Sequence, residues 1–288
     1  MKKLSSIGLG LALVLGLTAC ASNNSKNEST DRSTPSTEKV ETSSQKTIKV
    51  GLVGEKQEVW EEIKKRYEEK SGNKLELVVF TDYVQPNEAL VSNDIDINAF
   101  QHKKYLQEYN KEHKTDLVSI GNTMLAPLGI YSNKIKDVKD LKEGSRVSIP
   151  NDPSNGSRAL FLLQKAGLIK VKGQAGDSVT LDDISENKLN LDIVELDAAE
   201  TPRSLDDVDV AVVNDNYALD AGFKPSEDAI FLEDPESKES DQYINIIATT
   251  KDKANDPVLK DLVENYYQTD QTKKDYEKYT FGAWIPAW

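Results

Sequence analysis

Side chains able to do covalent or metal chemistry are scarce in this sequence. Histidine occurs only at His102 and His113, and Cys20 is the sole cysteine. No Gly-x-Ser-x-Gly, His-Glu-x-x-His or Gly-x-x-x-x-Gly-Lys segment is present. A nucleophile and its base are therefore hard to staff, and a metal site would call for two or three convergent imidazoles with carboxylates. Acidic residues are abundant, 49 in all, but in so acidic a chain most carboxylates are solvated surface and give little support to a paired-carboxylate hydrolase. Neither an enzyme nor a bound metal or cofactor is expected.

Recognition chemistry is better represented. Thr81-Asp82-Tyr83-Val84-Gln85-Pro86-Asn87 and Asn98-Ala99-Phe100-Gln101-His102-Lys103-Lys104-Tyr105 each follow a predicted strand, where the ligand-facing loops of open α/β sheets lie. Tyr83, Phe100, His102 and Tyr105 would bring aromatic faces together, suited to an apolar or sulfur-containing group. In Pro150-Asn151-Asp152-Pro153-Ser154-Asn155-Gly156-Ser157-Arg158 a strand end leads through a turn into a helix. Free amides at that helix start, with Arg158 on its first turn, would make a carboxylate receptor. Val213-Asn214-Asp215-Asn216-Tyr217 could offer amide oxygens to an ammonium group. Each segment also has a purely structural use: Phe100 and Tyr105 as core, Ser154 or Asn155 as a helix cap with Arg158 a surface charge, and Asn214 as a cap.

These loops need strands and helices to hold them, and the hydrophobic pattern supplies both. Ile48, Val50 and Leu52 alternate as in a strand, Val59, Ile63 and Tyr67 recur at helical spacing, and Leu75, Leu77 and Val79 alternate again. That order predicts a strand-helix-strand crossover in a parallel sheet and an α/β fold. A helix near 87–91, a strand at 94–98, a helix over 103–113 and an extended stretch 124–131 follow. After the charged 134–144 stretch a second α/β unit is expected, with strands at 147–150, 191–196 and 208–213. Its helices run over 158–166 and, opened by Thr201-Pro202, between the last two strands. A strand at 243–249 and helices over 257–267 and 271–279 complete the chain. Two such units imply a cleft between them, joined by two crossings, where a small ligand would bind and hinge closure could bury it.

The amino terminus reads as an export signal. Lys2 and Lys3 precede the apolar run Ile7 to Leu17, which is short for a permanent span. Leu17-Thr18-Ala19-Cys20 resembles a bacterial lipobox, so residues 1–19 are expected to be a signal peptide and Cys20 lipidated. Residues 20–46, rich in Ser, Thr, Asn, Lys and Glu, bury too little to order themselves and are expected to be a tether. With 36 Lys and Arg against 49 acidic residues and a formal charge of -13, no basic footprint for nucleic acid is present.

Taken in order, Phe80-Thr81-Asp82-Tyr83, Pro86-Asn87, Asn98-Ala99-Phe100-Gln101-His102, Pro150-Asn151-Asp152-Pro153 and Asn214-x-Asn216-Tyr217-Ala218 resemble the methionine-binding lipoproteins of ABC importers, the NlpA family. The resemblance spans residues 47–288. It implies a two-domain periplasmic-binding-protein fold, type II-like, with 47–128 and 246–288 in one domain and 129–245 in the other. It implies no catalysis: methionine or a close relative is captured by a monomer anchored through lipid outside the membrane and passed to the importer permease. Carried over, Tyr83, Phe100, His102 and Tyr105 line the side-chain pocket, Asn155 and Arg158 hold the carboxylate, and Asn214 and Asn216 serve the amino-acid backbone. A methionine-containing dipeptide and a lipid-anchored adhesin are the alternatives. Thr18-Ala19 departs from the commoner Ala-Gly of the lipobox, and Trp284 and Trp288 have no assigned role.

Overall fold

The computed structural model describes residues 45–174 and 176–288. The expected signal peptide, the lipidation candidate Cys20 and all but the last two residues of the expected tether therefore lie outside the described residues. The chain opens with β1 (Thr47–Val53), α1 (Glu58–Ser71) and β2 (Lys74–Phe80), then α2 (Gln85–Val91), β3 (Ile97–Asn98), α3 (Lys103–His113) and β4 (Val118–Leu125). Alternate residues of β1 bury Ile48, Val50 and Leu52, while α1 buries Val59, Trp60, Ile63 and Tyr67 and stops at Gly72, whose φ is +71°. The left-handed turn there ends the helix without a Cβ penalty.

The chain then leaves this sheet to form β5 (Gly129–Tyr131), β6 (Arg146–Pro150), α4 (Pro153–Lys165), β7 (Lys170–Val171), β8 (Ile184–Glu186), β9 (Asp192–Leu196), β10 (Val210–Val213), α5 (Asp215–Asp220), α6 (Pro225–Asp228) and β11 (Phe231–Leu232). It returns through β12 (Ile244–Thr249), α7 (Pro257–Asp261), α8 (Asp270–Tyr279) and β13 (Ile285–Pro286). Two main sheets result, ordered β13-β4-β12-β3-β1-β2 and β11-β5-β10-β6-β9. β1 pairs in parallel with β2 and β3, and β6 with β9 and β10, which requires the crossover helices. β12 and β13 run antiparallel to β4, and β5 antiparallel to β10, so both sheets are mixed rather than purely parallel. Each sheet has its own apolar core, one built on Val147, Ile149, Leu160 and Val212, the other on Val50, Ile63, Ile97 and Ile247.

Several local expectations give way to the structure. α4 begins at Pro153, five residues before Arg158, and its cap is neither Ser154 nor Asn155: Asp152 accepts from the Ser154 and Asn155 amides. The helix-start amides are thus already satisfied and offer no open anion site. Between β9 and β10 there is no α-helix but two 3-10 turns, Ala198–Glu200 and Arg203–Asp206. Thr201 does not cap forwards, because its hydroxyl donates back to the Ala198 carbonyl at 2.9 Å. The strand expected over 94–98 is confined to Ile97–Asn98.

Candidate functional site

The carboxyl ends of β1, β3 and β10 face one pocket, the place where open α/β sheets collect ligands. It contains about 710 Å³ of space outside the atoms, part of it continuous with solvent, and all eight residues singled out from sequence line it: Tyr83, Phe100, His102, Tyr105, Asn155, Arg158, Asn214 and Asn216.

One wall comes from the loops after β2 and β3. Ring centroids of Tyr83, Phe100 and Tyr105 lie 5.7 to 5.9 Å apart in tilted and edge-to-face pairs, a favoured arrangement of aromatic quadrupoles. The loops are set by a buried knot of amides. Gln101 donates to the side-chain oxygens of Asn87 (2.7 Å) and Asn98 (2.9 Å), Asn87 donates back to Gln101 (3.0 Å), and Asn98 donates to Asn87 (2.9 Å) and to the Pro86 carbonyl (3.2 Å). Fully satisfied networks of this kind rigidify what they connect. The Pro86-Asn87 and Asn98…Gln101 segments thereby hold α2 against β3 and fix where Phe100 and His102 emerge.

His102 caps α3: its Nδ1 accepts from the Tyr105 amide at 3.0 Å. With Nδ1 the acceptor, the proton sits on Nε2, which donates to Asn155 Oδ1 at 3.2 Å. Burial first, and then Arg158, hold the imidazole neutral by pulling its pKa down to about 3. Asn155 Oδ1 also accepts from Asn214 Nδ2 at 2.9 Å, and Asn155 Nδ2 donates to Asp152 at 2.9 Å.

The opposite wall is polar. Arg158 is buried, not the surface charge its sequence context allowed, and is only 3% exposed. Its guanidinium carbon lies over the Tyr243 ring, 4.2 Å from the centroid, and the group pairs with Glu233 through Nε and Nη2, with a further bond from Nη2 to the Ala126 carbonyl at 3.0 Å. Burial is the largest single influence and opposes its charge, but the charge and hydrogen bonds of Glu233, with Tyr243 and Tyr83, together raise its pKa. Nη1 makes no hydrogen bond among the described residues. Asn214 Oδ1, Asp215 Oδ1 and Asn216 Nδ2 are buried without a partner. An unpaired buried polar atom costs about 1–3 kcal/mol, and three clustered in one pocket mark a surface shaped for a polar ligand.

Hydrogen bonds tie the two walls across the pocket. Tyr83 donates to Asn216 Oδ1 (2.6 Å), Tyr217 to the Thr81 carbonyl (3.1 Å), and Trp284 Nε1 to Asp215 Oδ2 (2.7 Å). Asp220 accepts from the Glu55 and Lys56 amides at 2.9 and 3.1 Å. Gly54 permits that approach, since its φ is +98° and a Cβ would stand 2.6 Å from the Asp220 carboxylate.

Sequence reasoning missed Asp215, Glu233, Asn245 and Trp284. Asp215 sits between two selected asparagines, which was the one local signal available. Glu233 and Trp284 meet their partners 75 and 69 residues away, so no spacing pattern points to them.

Comparison with known proteins settles the family. Residues 48–288 match the family model described as NlpA lipoprotein. The chain belongs to the NlpA lipoprotein family. Among its NlpA relatives, the D-methionine-binding lipoprotein MetQ of Escherichia coli K12 is 46% identical over 84% of this chain and 88% of its own. A solved nutrient-binding protein from Burkholderia cenocepacia bound to methionine is 45% identical, with a TM-score of 0.79, and covers 84% of this chain and all of its own. The substrate-binding protein of a methionine transporter from Streptococcus pneumoniae is 39% identical with the same TM-score, over 84% and 96% of the two chains. The NlpA fold seen here is accordingly the α/β fold of substrate-binding proteins, with its two mixed sheets. Among the described residues no helix is long and apolar enough to cross a membrane.

Proposed function

We propose that this chain is the extracytoplasmic receptor of an ABC importer that binds methionine, is anchored through lipid on Cys20, acts as a monomer and delivers its ligand to the permease. The observation that carries the reading is the pairing, in one pocket, of an aromatic wall with a wall of unpartnered polar atoms beside Arg158. An amino acid with a thioether side chain has the matching halves. Tyr83, Phe100, His102 and Tyr105 desolvate the thioether, where sulfur-ring contact adds to area burial. Arg158 Nη1 and the free hydrogen of Asn155 Nδ2 take the carboxylate, and Asn214 and Asn216 serve the backbone. The Arg158–Glu233 pair keeps the guanidinium charged and aimed while leaving one of its nitrogens for the ligand.

In this reading residues 47–128 with 246–288 form one lobe and 129–245 the other, and the lobes hinge at the two crossings between the sheets. The ligand meets one lobe, and closure completes the ties from Tyr83 to Asn216 and from Trp284 to Asp215. The test is calorimetric titration of the full chain, unfolded and refolded to strip carried-over ligand, with L-methionine, D-methionine and glycyl-methionine. One-to-one binding of either free amino acid is expected. Heat with glycyl-methionine alone would move the assignment to a dipeptide receptor, and heat with none of the three would end the methionine reading.

A further inference from the structure

Among the described residues lining the pocket, one carboxyl has no place in the scheme above. Asp215 is the first residue of α5 and is 3% exposed. Trp284 Nε1 holds its Oδ2 at 2.7 Å, while its Oδ1 is buried with no partner. Next to it in the chain, Asn214 Oδ1 is equally bare, its Nδ2 being committed to Asn155. Two acceptors on adjacent residues call for a donor, and none comes from the described residues. Among these, the only cationic side chain lining the pocket, Arg158, is turned to Glu233 and to the Ala126 carbonyl.

We infer that Asp215 Oδ1 and Asn214 Oδ1 together receive the α-ammonium of the ligand, so that Asp215 selects free amino acids over their deaminated or N-acylated analogues. This rests on the methionine reading above and adds to it the residue that tests the amino end. Trp284 is the positioning residue: by occupying Oδ2 it leaves Oδ1 as the oxygen that meets the ligand. An N-acyl group would remove the positive charge and two of the three N–H donors, and a hydroxyl would bring one donor and no charge.

The electrostatics of the site add a proton to the account. Burial raises the Asp215 pKa to about 7, against the opposing effects of the Trp284 hydrogen bond and of Arg158. The titratable groups around it are Arg158 from α4 with its partner Glu233, the Tyr131 phenol from β5, which Asp215 itself helps to push up, and His102 across the pocket, held neutral. An ammonium placed at Oδ1 supplies the missing positive charge and favours the carboxylate, so the Asp215 proton passes to solvent as the ligand binds.

The experiment is calorimetry on the full chain near pH 7, in two buffers of different ionisation enthalpy, with L-methionine, its 2-hydroxy analogue and N-acetyl-L-methionine. Wild type is expected to prefer methionine over the hydroxy acid by about 100-fold, the scale of a charged hydrogen bond, and to release a fraction of a proton with methionine only. Asp215→Asn is expected to shrink the preference below about 10-fold and to abolish the release. If that variant does not fold, the buffer dependence of wild type alone decides. Equal affinity for methionine and the hydroxy acid, or binding with no proton release, overturns the inference while leaving the methionine reading intact. So does an Asp215→Asn protein that keeps both the preference and the release. Failure of wild type to bind methionine at all removes both.

Discussion

The two walls of the pocket solve opposite problems. On the side of α2 and α3, polar side chains are spent on the protein itself: Asn87, Asn98 and Gln101 satisfy one another, His102 has both ring nitrogens engaged, and Tyr105 donates to the Tyr83 carbonyl at 2.9 Å. What that wall shows the pocket is ring surface. On the side of α4 and α5, Asn214, Asp215 and Asn216 each keep a buried atom without a partner, and Arg158 Nη1 makes no hydrogen bond among the described residues, although all four line the same pocket. In the proposed reading, rigidity is concentrated where the ligand's apolar end would pack, and unfinished hydrogen bonding is kept where its charged end would lie. Each wall also holds a buried group whose burial favours its neutral form, His102 by losing a proton and Asp215 by keeping one below about pH 7.

The sharpest way to break the contrast is to remove the charge at the polar wall. Arg158→Ala leaves Glu233 buried and unpaired, a change that typically costs about 3–5 kcal/mol of stability. It should also abolish methionine binding. The two losses can be separated by the double variant Arg158→Met with Glu233→Gln, which replaces the ion pair by groups of similar volume. Urea unfolding of that protein should recover most of the stability while titration still shows no binding. An Arg158→Ala protein with wild-type affinity would take Arg158 out of the site.

A second prediction uses the two neutral groups against each other. The unfolded His102 imidazole takes up a proton below its ordinary value of 6.5, but the folded one does so only near 3, so this contribution is present above 6.5 and is lost on acidification. Asp215 has the reverse sign. Unfolded it ionises above its ordinary value of 3.8, whereas folded it holds its proton to about 7, so its contribution is present at low pH and is lost as pH rises through that window. Each slope reaches about 1.4 kcal/mol per pH unit, and between about pH 4 and 6.5 the two oppose each other. Asp215→Asn should therefore make the unliganded protein lose stability faster than wild type between pH 6.5 and 4.5, and His102→Gln should make it lose less, or gain. Comparing each variant with wild type cancels the background from other groups, Asp152 among them, whose pKa burial also raises. Variant and wild-type profiles that run parallel would show that neither group is held neutral.

How much of this contrast the chain advertises differs between its walls. The aromatic wall is legible because its parts are local: Phe100, His102 and Tyr105 fall within six residues, directly after a short strand and across the start of a helix whose periodicity is plain. Strands β1, β2 and β6 follow from alternation, and α1 from the spacing of Val59, Ile63 and Tyr67. The polar wall is legible only in outline. Arg158 and the two asparagines stand out as types, but what makes the wall work is who else claims their atoms, and Glu233 and Trp284 arrive from distant segments. The cap of α4 was misplaced for a related reason. Asn155 and Ser154 are good caps by type, yet Asp152 followed by Pro153 fits the N-cap and first-turn pattern better and starts the helix earlier. At Thr201-Pro202 the same pattern is present without an apolar stripe behind it, and only 3-10 turns form.

The smallest predicted effect tests the contact that joins the walls. Tyr83 belongs to the aromatic side, but its hydroxyl donates to Asn216 Oδ1 at 2.6 Å across the pocket. Tyr83→Phe keeps the ring and removes this one bond, whose net worth is about 0.5–1.5 kcal/mol. In the hinge-closing scheme proposed above the bond forms only when the two sides meet, so the loss should appear as weaker closure. Methionine affinity should fall by roughly 2- to 10-fold, chiefly through faster dissociation, while the unfolding midpoint of the unliganded protein moves little. The Asn216→Ala variant, which also removes the Nδ2 offered to the ligand, should lose more, and the double variant should be no worse than Asn216→Ala alone, since the Tyr83 bond is already gone in it. Fully additive losses would mean that Tyr83 and Asn216 act on the ligand independently, and the link between the walls would then have to be sought at Trp284 and Asp215.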